Sequence, residues 1–77
     1  MMNLIKDEKS VWETYMVEGF PFGIEKIDSR DFVVFRLWGS RRVYLREDGF
    51  VSVKQAMVFL VPVVEAYESS IVVAVTA

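Results

Sequence analysis

Residues 36–46, Arg-Leu-Trp-Gly-Ser-Arg-Arg-Val-Tyr-Leu-Arg, confine the fold of this chain more than any other stretch. Two β-prone runs flank Gly39-Ser40, the pattern of antiparallel strands joined by a tight turn. Side chains alternate faces along a strand, so the loop length decides which residues share a face. A three-residue loop, Gly39-Ser40-Arg41, pairs Trp38 with Arg42. It gathers Arg36, Trp38, Arg42, Tyr44 and Arg46 on one face and Val33, Phe35, Leu37, Val43 and Leu45 on the other. A two-residue Gly39-Ser40 loop mixes these sets and puts Arg42 and Arg46 beside Phe35. The apolar pattern favours the three-residue loop, with Val43 and Leu45 turned into the core.

At 77 residues the chain has room for one domain, and a core of that size is marginal. Yet 53% of the residues are apolar, more than a small monomer easily hides. This excess predicts a homo-oligomer, with the valine-rich segment that holds Ile71, Val73 and Val75 as its interface. The chain has no cysteine and no histidine, which removes disulfides, thiolate chemistry and the commonest general base and metal ligand. No cofactor or metal is expected, and a cysteine-free chain suits the reducing cytoplasm.

Net charge is −2 but unevenly spread. Residues 30–46 hold five arginines against the single acid Asp31, whereas the rest holds four lysines against ten acids. A basic patch on an acidic body steers an anionic partner. The first residues lack the apolar stretch of a signal peptide. Glu65 and Glu68 interrupt the hydropathic C-terminal segment, so no membrane span is expected.

Residues 1–9 read as a mobile, charged tail and residues 10–77 as a single domain. Ser10-Val11-Trp12-Glu13 fits a capping box and favours a short helix over 10–18, against the strand-loving Val11, Trp12, Thr14, Tyr15 and Val17. Ile24 to Ile27 reads as a strand, Asp28 to Asp31 as a turn, Phe32 to Trp38 and Arg42 to Arg46 as the hairpin. Ser52-Val53-Lys54-Gln55 is a second capping box, so a helix starts at Val53. Val53, Ala56, Met57, Leu60, Val64 and Tyr67 form its apolar stripe. Pro62 and the run Val58-Phe59-Leu60-Val61 leave a strand open there as the alternative. Residues 70–76 read as a final strand. The expected architecture is a two-layer α+β domain: a short antiparallel β-meander, one helix packed across it and a C-terminal strand.

The Arg/aromatic face, Arg36, Trp38, Arg42, Tyr44 and Arg46, is the candidate partner-binding surface. Guanidinium groups bind carboxylate or phosphate, and aromatic rings stack on bases or pack on protein. The competing reading is an ordinary sheet face whose arginines pair across strands with Glu25, Glu47 or Glu13. Phe20, Phe22, Phe50, Phe59 and Met57 read as core. No catalytic residues are assigned. Eleven acids could supply a carboxylate pair, but so small a chain offers little room for a cleft.

Asp31 to Trp38, Arg42 to Arg46 and Gly49-Phe50-Val51-Ser52-Val53-Lys54-Gln55-Ala56 loosely resemble the arm-type DNA-binding domain of tyrosine integrases. The likeness covers under half of the chain, and the helix here is more apolar and the whole more acidic than in that family. It implies a three-stranded sheet followed by a helix, with Arg36, Trp38, Arg42, Tyr44 and Arg46 facing the major groove. The Arg/aromatic face, the net acidity and the apolar excess support two expectations. The first is a non-enzymatic interaction protein, an adaptor, inhibitor or assembly factor, contacting an acidic protein surface. The alternative is a nucleic-acid-binding accessory protein using the same face.

Overall fold

The computed structural model describes the backbone of residues 2–76 and the side chains of residues 2–70. Five strands run in chain order across one antiparallel sheet: β1 (Leu4–Lys6), β2 (Thr14–Val17), β3 (Phe22–Asp28), β4 (Asp31–Trp38) and β5 (Arg41–Tyr44). A single helix, α1 (Val53–Thr76), lies over one face. The expected α+β arrangement of a meander under one helix is present.

Three local expectations change. The segment read as a tail supplies the edge strand β1, with Leu4 opposite Val17 and Lys6 opposite Tyr15. The segment read as a short helix holds strand β2 in its second half. There the β-propensity of Thr14, Tyr15 and Val17 combines with pairing on β3, and sheet pairing outweighs the local capping pattern. Gly19, at φ +80°, closes the turn from Val17 to Phe20 in the left-handed region that a type II turn requires. The strand expected over 70–76 is not found; α1 continues as helix to Thr76. Once a helix is nucleated, each added residue gains a backbone bond, so an apolar extension without a breaker propagates it.

The start of α1 follows the sequence. Ser52 Oγ accepts a hydrogen bond from the Gln55 amide at 3.2 Å, the capping contact expected of that motif. Ala56, Leu60 and Val64 are buried along one stripe, and Val53, Met57 and Tyr67 pack beside them. They close on Val17, Phe22, Ile24, Phe32 and Val34 from the sheet. Pro62 sits within the helix on its exposed side.

The β4–β5 hairpin has a two-residue turn. Trp38 faces Arg41, Leu37 faces Arg42, Arg36 faces Val43 and Phe35 faces Tyr44. The three-residue loop expected from the apolar pattern is therefore wrong. Gly39 carries φ +65° while Ser40 does not have a positive φ, which is the signature of a type II′ turn with glycine first. A three-residue loop wants its left-handed residue last. The apolar pattern misled because β4 is apolar on both faces at Phe32-Val33-Val34-Phe35, so it fixes no register.

Candidate functional site: two arginine clusters on opposite faces

With this register, residues directly opposite share a face, and the five predicted partner-binding residues separate. Arg36 and Trp38 lie on the helix side of the sheet with Arg41, Val43 and the core residue Val34. Arg42 and Tyr44 lie on the outer side with Val33, Phe35, Leu37 and Glu25. Arg46 follows β5, with its guanidinium 4.7 Å from the Phe50 ring centre and 5.9 Å from that of Phe59. The expected single Arg/aromatic face does not exist.

On the outer side, Phe35 is fully buried although, among the described residues, no second layer covers that face. Three neighbours bury it. Gly23, directly opposite, has no Cβ, and one built there would meet Phe35 Cζ at 2.5 Å and Met16 Sδ at 2.9 Å. The Arg42 guanidinium lies 4.7 Å from the ring centre, and the Tyr44 ring packs edge-on at 6.3 Å. Arg42 is thereby a lid on an apolar side chain as well as a charge.

That charge is already answered. Glu25, 4% exposed, accepts a hydrogen bond from Arg42 Nη1 on one carboxylate oxygen and from the Tyr44 hydroxyl on the other at 3.1 Å. Arg42 Nη2 reaches Ser10 Oγ at 3.3 Å, which in turn contacts Thr14 Oγ1 at 2.9 Å. Thr14, also buried, donates to the Trp12 carbonyl at 3.0 Å. Ser10 thus serves a side-chain network instead of capping a helix. A carboxylate taken out of water needs this full set of partners. Desolvation pushes the Tyr44 phenol above its ordinary pKa, and the Glu25 carboxylate beside it pushes in the same direction. The expected cross-strand pairing of an arginine with Glu25 is found here, as is a longer contact of 3.9 Å between Lys26 and Glu13.

The helix-side cluster differs. The Arg36 guanidinium lies 3.8 Å over the Trp38 ring centre, with Tyr67 at 5.0 Å and Phe22 at 5.8 Å. Its Nε is buried without a hydrogen-bond partner, and among the described residues no carboxylate lies within ion-pair distance. The aromatic faces supply the attraction for the cation. Trp38 remains 56% exposed, and Arg41 beside it is exposed too. Phe20 and Phe22, expected in the core, both meet the Tyr67 ring edge-on, at 6.2 and 5.4 Å.

The side chains of Ile71, Val73 and Val75, expected at a subunit interface, lie outside the described residues. Among the described residues, no three Asp or Glu side chains come together as a metal site needs, and no helix is long and apolar enough to cross a membrane. No protein-family model matches the chain, and neither a curated protein nor a solved structure matches it significantly.

Proposed function

We propose that this protein is a small non-enzymatic interaction module that contacts an acidic protein surface through Arg36, Trp38 and Arg41. The observation that carries the reading is the contrast between its two buried-edge arginines. Arg42 is committed to Glu25 inside the fold, whereas Arg36 is oriented by Trp38 and Tyr67 and has no anionic partner among the described residues. A guanidinium held on aromatic faces is pre-organised, so less side-chain entropy is lost when it meets a carboxylate. Trp38 adds the exposed aromatic area typical of binding hot spots. The absence of histidine and cysteine supports the non-enzymatic part, and also a cytoplasmic setting.

Self-association belongs to the same proposal. Val58 and Val61 are exposed on α1, with Val58 at 68%, and the apolar excess noted above needs cover.

The discriminating experiment titrates the protein with poly-glutamate and, separately, with single-stranded DNA at low and moderate salt. The proposal expects poly-glutamate binding that weakens with salt and with Arg36→Gln. Binding to DNA alone, lost on Trp38→Ala, would favour base stacking and overturn the protein-partner reading.

A further inference from the structure

We infer that the partner segment binds in extended form, as a sixth strand along the free edge of β5, with its acidic side chains at alternate positions facing Arg41. This rests on the acidic-partner reading above and specifies how such a partner would be held.

The hydrogen bonds of the hairpin set which backbone groups of β5 are free. Leu45 N donates to Val34 O at 3.0 Å, so that opposed pair is a hydrogen-bonded one. In an antiparallel ladder, bonded and non-bonded pairs alternate. Val43 and Arg41 therefore turn their backbone groups toward β4, opposite Arg36 and Trp38. Arg42 and Tyr44 turn their N–H and C=O groups away from the sheet. β5 is the last strand in the order, so these groups form an open edge. Val43 and Tyr44 are 39% and 49% exposed and Arg41 is exposed, so no described element covers that edge. Such an edge is a template for an added strand.

Charge selects the occupant. A strand added beside β5 alternates its side chains between the two faces. On the outer face it meets Arg42, already paired with Glu25, and the Tyr44 ring. On the helix face it meets Arg41 and Val43, with the uncommitted Arg36 one strand further in, opposite Val43. Acids at every second position thus find cations on one face only. A second copy of β5 fits poorly, because it would bring two Arg41-Arg42 pairs onto one four-residue ladder.

The test uses a capped peptide of alternating threonine and glutamate, its threonine–lysine counterpart, and a version N-methylated on one backbone edge. Binding is followed by amide hydrogen exchange and NMR shifts of this protein. The expected result is selective protection of the Arg42 and Tyr44 amides by the acidic peptide, no binding of the lysine peptide, and roughly tenfold or greater weakening on N-methylation. Tyr44→Pro, which removes an outward N–H at an edge position, should weaken binding similarly, while Tyr44→Phe should not. If Tyr44→Pro fails to fold, the exchange data on the unmodified protein still decide. Acidic peptide binding that leaves both amides unprotected overturns strand addition but not the acidic-partner reading. No binding by the acidic peptide or by poly-glutamate overturns both. Protection of both amides on raising protein concentration alone would assign the edge to a second copy and overturn the acidic occupant.

Discussion

Glu25 lies beneath Arg42 on the outer face of the sheet, and the two are unequally exposed: the carboxylate side chain is 6% accessible and the guanidinium side chain 27%. The pair holds together strands that are not adjacent, since β4 runs between β3 and β5. It also keeps Phe35 covered, because the same guanidinium lies over that ring.

The inequality predicts asymmetric losses. Arg42→Ala strands a buried carboxylate with only Tyr44 to bind it and should cost about 3 kcal/mol, the low end for breaking a buried pair, because Arg42 is partly exposed. Glu25→Gln leaves Arg42 able to turn to water and should cost about 1 kcal/mol. Urea denaturation of both variants checks this. Equal losses, or an Arg42→Ala protein as stable as the parent, would mean the pair is only a surface contact.

Alkaline pH should loosen the same cluster. The Tyr44 pKa in the folded protein is raised, by desolvation first and by Glu25 second. Its contribution to stability is therefore complete below the unfolded tyrosine value of about 10 and is lost as pH rises through the higher folded value. Tyr15, raised mainly by its hydrogen bond to Glu13, adds to the trend from an exposed site. Melting temperature followed from neutral to strongly alkaline pH should fall less steeply in Tyr44→Phe than in the parent. Identical slopes would remove Tyr44 from the account.

Gly23 and Phe35 should be coupled. A methyl group at position 23 would meet the Phe35 ring and Met16, so Gly23→Ala should destabilise by about 1–3 kcal/mol through overpacking. Phe35→Leu shortens the obstructing side chain, so the double variant should lose less than the sum of the single losses. Strict additivity in that cycle would contradict the close approach.

Much of the fold was legible before the structure. The helix start at Ser52, its buried stripe through Ala56, Leu60 and Val64, and the Asp28–Asp31 turn all follow from local chemistry that tertiary contacts reinforce. The hairpin register was not legible from the apolar alternation, because a central strand such as β4 is apolar on both faces and a one-residue slip leaves it equally satisfied. The turn residue held the better signal: glycine in first place specifies a two-residue II′ connection. Glu25 carried a second signal. An acid on the same sheet face as Phe35 calls for a cation beside it, and only the two-residue register brings Arg42 to that face. Strand β1 was missed because its pairing with β2 decides its state, and β2 because the capping pattern at Ser10 was weighed above the strand-loving Thr14, Tyr15 and Val17.

The division of labour between the arginines is the central claim, and a binding titration read against stability tests it most directly. Poly-glutamate is titrated calorimetrically into the parent and into the Arg36→Gln/Arg41→Gln double variant, at low and moderate salt, with a thermal melt of each. The account predicts a double variant that still melts cooperatively but at a lower temperature than the parent, because Arg36 leaves its contacts with Trp38, Tyr67 and Phe22, each contributing about 0.5–1 kcal/mol. It also predicts roughly tenfold weaker binding at low salt, with the difference narrowing as salt rises. A folded double variant that binds poly-glutamate as tightly as the parent at both salts would contradict it.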